Sequence, residues 1–169
     1  MQYIKRKTAR LEGFDYNTPG IYFITICTYK RRMLFWDNPM RPALAPGTDR
    51  LNFAGRIADN VIKTLPDIFP VTIEKYVIMP NHIHLLLLIK NDNSIKTKTG
   101  LVSRTVSYLK MKISHELHNL NVDDSIWQRS FHDHIIRNEN DYIKIWEYIE
   151  NNPIKWESDC FFESLTFEE

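Results

Sequence analysis

Residues 72–89, TIEKYVIMPNHIHLLLLI, decide the fold. Two runs of β-branched, aromatic and leucine side chains, 72–79 and 82–89, stand on either side of Pro80-Asn81. Proline and asparagine are turn residues, so the stretch predicts an antiparallel hairpin. Along the second run, Ile83, Leu85, Leu87 and Ile89 face one side of the sheet, and His82, His84, Leu86 and Leu88 face the other. A sheet with one wet face would carry polar residues where Leu86 and Leu88 stand. Both faces of this strand therefore need cover.

Working outward, residues 20–28 (GIYFITICT) follow Thr18-Pro19 and predict a buried strand. A proline-rich loop leads to a helix over 51–65, with Phe53, Ile57, Val61 and Leu65 facing inward and Pro66 just beyond its end. After the hairpin and a polar linker, a second helix over 101–117 turns Val102, Val106, Leu109, Ile113 and Leu117 inward. A short strand over 132–137 follows. A last helix, 140–152, is capped by Asn140 and stopped by Pro153, with Tyr142, Ile145, Trp146 and Ile149 on its apolar stripe. The order β-α-β-β-α-β plus one helix predicts an α+β fold. It is a ferredoxin-like split βαβ unit whose four-stranded antiparallel sheet carries two helices on one face. Those two helices are committed to the Ile83 face, so the last helix is the expected cover for the histidines.

At 169 residues and 43% hydrophobic, the chain suits one domain: a core over about 20–156, a basic arm over 1–19 and an acidic tail over 157–169. The longest apolar run is far shorter than the roughly 20 residues of a membrane helix, and no signal-peptide pattern follows the N-terminal charges, so a cytoplasmic protein is expected. Cys27 and Cys160 are too few for a disulfide framework or a cysteine-rich zinc site. The net charge of +1 conceals an asymmetry, with +5 over residues 1–36 and −7 over residues 139–169. A basic end of this kind can collect phosphates, although two unrelated solvated surfaces would read the same way.

Alternation sets His82 and His84 about 7 Å apart on one face, close enough to share a cation. Six histidines in this length yield roughly 0.2 such pairs by chance, and a second, His132-Asp133-His134, is present, so spacing alone does not choose between ligands and a polar strand end. The last helix adds weight. At about 100° per residue, Tyr142 falls inside the apolar stripe, whereas Tyr148 falls roughly 110° from its centre, with Asn152 one turn further along the same flank. Asn152 stands at the negative end of the helix dipole, which suits a cation. The plain alternative is a boundary aromatic followed by a C-cap.

Three ordered segments, Met79-Pro80-Asn81-His82-Ile83-His84-Leu85-Leu86, residues 126–137 (IWQRSFHDHIIR) and Tyr148-Ile149-Glu150-Asn151-Asn152-Pro153, together resemble the single-tyrosine HUH transposases, and within them the REP-associated tyrosine transposases. The resemblance spans about 20–156. It implies a ferredoxin-like fold, His82 and His84 as metal ligands with Asn152 as a third, and Tyr148 as a nucleophile that forms a 5′-phosphotyrosine on single-stranded DNA flanking a hairpin. Magnesium is the expected metal, and nitrogen ligands also suit manganese. Lys5, Arg6, Lys7, Lys30, Arg31, Arg32, Arg104 and Lys110 are candidate phosphate contacts, while Trp127 and Phe131 are expected in the core. Asn81 and the segment after Trp156 are expected to decide little. The sequence identifies no base for Tyr148 and leaves open monomer or homodimer. Two alternatives also stand: a non-catalytic or domesticated nucleic-acid-binding protein of the same fold, and a hydrolase that uses water in place of Tyr148.

Overall fold

The structure is a computed structural model describing residues 14–41, 45, 50–90, 100–120, 122 and 125–162. Lys5, Arg6 and Lys7, and the expected acidic tail beyond 162, lie outside the described residues. The elements in order are β1 (Gly20–Cys27), α1 (Phe53–Ile68), β2 (Val71–Met79), β3 (His82–Ile89), α2 (Leu101–His118), β4 (His132–Ile136) and α3 (Glu139–Asn151). The strands form one sheet in the order β2-β3-β1-β4, with every neighbouring pair antiparallel. This is the split βαβ arrangement, with α3 added.

β3 is an inner strand, buried along almost its whole length, as its continuous hydrophobicity requires. Ile83, Leu85 and Leu87 are wholly buried in one cluster with Val102, Val106, Leu109 and Ile113 of α2 and Ala58, Ile62 and Leu65 of α1. Each such side chain stabilises the fold by about 1.5–3 kcal/mol relative to exposure. His82, His84 and Leu86, on the opposite face, are equally buried. Registration places His84 between Thr25 of β1 and Val77 of β2, and His82 between Cys27 and Met79. No helix of the described residues is long and apolar enough to cross a membrane.

Several expectations are corrected. α1 buries Gly55, Ala58, Val61, Ile62 and Leu65, while Phe53 is 65% exposed, so the inward stripe is rotated from the one expected. Pro66 lies inside the last turn of α1. It withdraws one donor, and the turn still closes through the Phe69 N–H on the Leu65 carbonyl. α3 begins one residue early because Asn138, not Asn140, caps it by accepting from the Asp141 N–H. Tyr142 is only partly buried, beside Trp146; Ile149 alone in α3 is fully buried, because the helix lies against the β2 edge of the sheet rather than its centre. The Lys75–Glu150 ion pair joins β2 to α3, and the Lys75 ammonium lies over the Trp146 ring. Trp127 and Phe131 pack with the core, as expected.

A Cβ added at Gly55 would lie 2.4 Å from the Phe35 carbonyl oxygen and 2.9 Å from Leu51 Cδ2. Alanine normally stabilises a helix over glycine by about 0.5–1 kcal/mol, whereas overpacking costs about 1–3 kcal/mol. The clash is with backbone, so it wins: Gly55→Ala should lower the urea midpoint, and a raised midpoint would show that the Phe35 strand can move aside.

Candidate metal and tyrosine site

Two buried imidazoles meet edge to edge, His82 Nε2 and His84 Nε2 being 2.9 Å apart. The network around them sets their protons. Asn81 Nδ2 donates to the Phe161 carbonyl, so Asn81 Oδ1 is turned toward His82 Nδ1, at 2.8 Å, and must accept from it. His82 therefore carries its proton on Nδ1 and aims a bare Nε2 at its partner. His84 Nδ1 lies 2.8 Å from Thr25 Oγ1, which fixes that ring from the far side. Burial, reinforced by Arg31, pushes the His82 pKa down to about 3. Burial and then His82 push that of His84 well below its usual value, against a smaller upward pull from Asp159. Both rings are thus neutral at physiological pH, the state in which an imidazole can hold a metal.

Tyr148, on the flank of α3 facing the sheet, brings its hydroxyl to 3.2 Å from His84 Nε2 and donates to Asp159 Oδ2 at 3.0 Å. Its ring meets those of His84 and Phe23 edge-on. The residue is 40% exposed overall, with the hydroxyl end turned inward. Its pKa is raised, first by burial and then by the charge and hydrogen bond of Asp159, with Asn152 pulling the other way. Asn152, 3% exposed, donates through Nδ2 to the same Asp159 oxygen at 2.9 Å, and its Oδ1 has no partner among the described residues. His82, His84 and Asp159 offer ligand atoms all within 4.8 Å of one another. A divalent cation would fit this donor set: two neutral imidazoles, of which His82 presents a bare Nε2 and His84 would give up its Nε2 proton, a carboxylate, and a buried amide oxygen with no partner among the described residues.

Asp159 and Asn81 are the participants that sequence reasoning missed. Asp159 follows the 3-10 turn Trp156–Ser158, and its carboxylate is steadied by the Phe161 N–H at 2.7 Å. The same segment supplies the cover over the histidines, with the Phe161 ring 4.6 Å and the Trp156 ring 6.0 Å from His82. An acidic residue and an aromatic within seven residues of Asn152 were the available signal. The second histidine pair lies elsewhere: His132 and His134 are exposed on edge strand β4, and His134 bonds to Asp141 at 2.8 Å.

The candidate phosphate contacts divide by location. Lys30 and Arg31 follow β1 in consecutive left-handed conformations, φ 50° and 52°, a strained geometry for side-chain-bearing residues. Arg31 stacks over Phe161, beside the histidines. Arg32 follows, its backbone carbonyl accepting from Thr28 Oγ1. Arg104 is exposed on α2, over Phe69, in the helical layer behind the sheet. Lys110, also on α2, donates to the Gln128 and Ser130 carbonyls, and burial lowers its pKa to about 8. It ties down the segment before β4. The structure does not bring Arg104 or Lys110 to the histidines.

Fold and residue pattern together define a protein of the tyrosine transposase class. The family model described as "Transposase IS200 like" matches residues 20–152, and the chain belongs to that family. An uncharacterized protein of Haemophilus influenzae is 33% identical over 176 residues, covering 93% of each chain. A second protein of that organism, provisionally described as a REP-associated tyrosine transposase, is 28% identical over 83% of this chain and 74% of its own. Among solved structures, that of a REP-associated tyrosine transposase bound to a REP hairpin matches with a TM-score of 0.59 and 22% identity, over 87% of this chain and 74% of the other. The resemblance to REP-associated tyrosine transposases read from the motifs holds, and so does the fold class.

The hydrogen bond from His82 Nδ1 to Asn81 gives a direct test. Manganese binding followed by electron paramagnetic resonance should be lost in His84→Ala and weakened about 10–100-fold in Asn81→Ala, the usual effect of removing a ligand's hydrogen-bond partner. His134→Ala should bind as the parent does. Loss of binding in His134→Ala with retention in His84→Ala would place the metal at the other pair.

Proposed function

We propose that this chain cleaves and rejoins single-stranded DNA beside a hairpin, with Tyr148 as nucleophile and a divalent cation, magnesium or manganese, held by His82, His84, Asn152 and Asp159. The observation that carries this reading is the position of the Tyr148 hydroxyl, 3.2 Å from His84 Nε2 and 3.0 Å from Asp159 Oδ2 at a cavity of about 340 Å³. Family membership supports the reaction class, and the neighbouring structure with its REP hairpin supports the substrate class.

The chemistry follows from what these groups can do. Tyr148 Oη attacks the phosphorus, the bond from phosphorus to the 3′ oxygen breaks, and the downstream fragment stays attached to the phenol through its 5′ phosphate. The phenolic proton is directed at Asp159 Oδ2, a carboxylate placed to accept it, while a proton from solvent completes the departing 3′-hydroxyl. The covalent link preserves the energy of the phosphodiester, so a new 3′-hydroxyl can reverse the step with another strand end. A bound cation supplies positive charge for the phosphate oxygens and for the phenolate, offsetting the burial that now keeps Tyr148 protonated. His82 and His84 stay neutral, Thr25 and Asn81 keep their rings aimed, and Trp156 and Phe161 exclude water from behind.

Incubation with labelled single-stranded hairpin DNA and magnesium or manganese should give a covalent protein–DNA band on a denaturing gel, lost on chelation, in Tyr148→Phe and in His84→Ala, and kept in His132→Ala. Free fragments from Tyr148→Phe would mean that water is the nucleophile and sink this reading. Hairpin binding with no covalent product under any metal condition would leave a binding module. Asp159→Asn should slow band formation by about 10²-fold or more without loss of hairpin binding; an unchanged rate would remove Asp159 from the proton path.

A further inference from the structure

Residues 139–169 hold nine acidic residues and only two basic ones, Lys144 and Lys155. Both line the cavity that also contains Tyr148, Asn152 and Asp159. Lys144 is one helical turn before Tyr148 on the same flank of α3, about 6 Å along the axis, and Lys155 lies beyond Asn152 in the turn that ends the helix. The two lysines thus lie before and after Tyr148 along the chain, at the same cavity.

Neither ammonium makes a hydrogen bond or a close salt bridge among the described residues, and the charge of Lys144 is felt at Asp141 only through space. The nearby acids are engaged or opposed to a phosphate: Asp141 is bonded to His134, Asp159 accepts from Tyr148, Asn152 and the Phe161 N–H, and Glu147 shares the cavity wall. The carboxylates of Glu147 and Asp159, together with the negative end of the α3 dipole, repel a DNA strand approaching Tyr148. Two cations with no close salt bridge among the described residues, placed either side of that repulsion, are what a strand needs in order to lie across it. Of the phosphate contacts expected from sequence, Arg104 and Lys110 stand behind the sheet, so they cannot do this.

We propose that Lys144 and Lys155 hold the backbone phosphates on the two sides of the phosphate that Tyr148 reaches, so that the reacting strand runs along this flank of α3. The assignment rests on the reading of Tyr148 as the nucleophile. The lysines act as positioning residues through charge on the flanking phosphates and touch no reacting atom.

The test uses the full chain as Tyr148→Phe, which cannot link to DNA, and a fluorescent single-stranded oligonucleotide carrying a hairpin, titrated over a range of salt. Each phosphate contact with a single strand contributes a slope of roughly 0.7 in log K against log salt, so the double change Lys144→Gln, Lys155→Gln should make that slope shallower by about 1.4. Lys144→Arg, Lys155→Arg should keep the parent slope, because charge is what is read. A role limited to neutralising the end of α3 would move the melting temperature and leave the slope unchanged, and an unchanged slope overturns the inference. Absence of a covalent band from the wild-type chain counts against Tyr148 and leaves the slope to judge the lysines. Absence of salt-dependent binding by the parent overturns both.

Discussion

β3 must be buried on both faces, and the rest of the molecule is arranged to meet that need. Its Ile83 face is satisfied by α1 and α2, as in any split βαβ sheet. Its other face begins with two histidines and continues into leucine, so it cannot be left to water. α3 covers the β2 side of that face, and the chain beyond α3 folds back to place Trp156 and Phe161 over His82. The lid over the sheet and the wall of the site are therefore the same structure. A hydrophobic requirement brings Tyr148, Asn152 and Asp159 to the histidines.

That burial sets the electrostatics. Removing water keeps both imidazoles neutral, with their Nε2 atoms directed into one small space. The same removal of water raises the pKa of Tyr148, and the neighbouring Asp159 raises it further. Without a cation the site thus favours a protonated, unreactive phenol. Positive charge introduced among these groups would oppose the upward shift of Tyr148 and keep the histidines neutral, so on the proposed reading cation and phenol would be coupled by the shared low-dielectric space rather than by any single bond. The buried Asn152 Oδ1, without a partner among the described residues, costs stability where it stands, and on the same reading a cation would satisfy it.

The distribution of charge extends this outward. Residues 139–169 are acidic, which by itself would repel DNA, yet their two lysines lie at the cavity of Tyr148 and their best-placed acid, Asp159, is turned inward toward Tyr148 and Asn152. On the other side of the histidines, Arg31 is presented by a strained pair of left-handed residues and stacks on Phe161. Basic groups thus approach the site from two chain segments far apart in sequence, although the overall net charge is only +1.

Local repetition carried much of this into the sequence. The alternation in HIHLLLLI determined which residues share a face and that both faces are covered, because side-chain direction reverses at every residue of a strand. The inward residues of α2 were legible for the same kind of reason, as was the flank of α3 that holds Tyr148 and Asn152. Where the local signal was ambiguous, tertiary packing decided: Asn138 rather than Asn140 caps α3, Phe53 is solvated, and Tyr142 lies at an edge. Asp159 and Asn81 had no periodic signature. Their roles arise where the chain after α3 crosses the β2–β3 turn, joining Phe161 to Asn81 across 80 residues. The sequence by itself determined the sheet and its two buried faces, and its motif resemblance named His82, His84, Tyr148 and Asn152. Only the tertiary structure decided that these side chains meet and that the Asp159 carboxylate stands beside them, because that depends on chain closure at long range and on burial, neither of which repeats along the sequence.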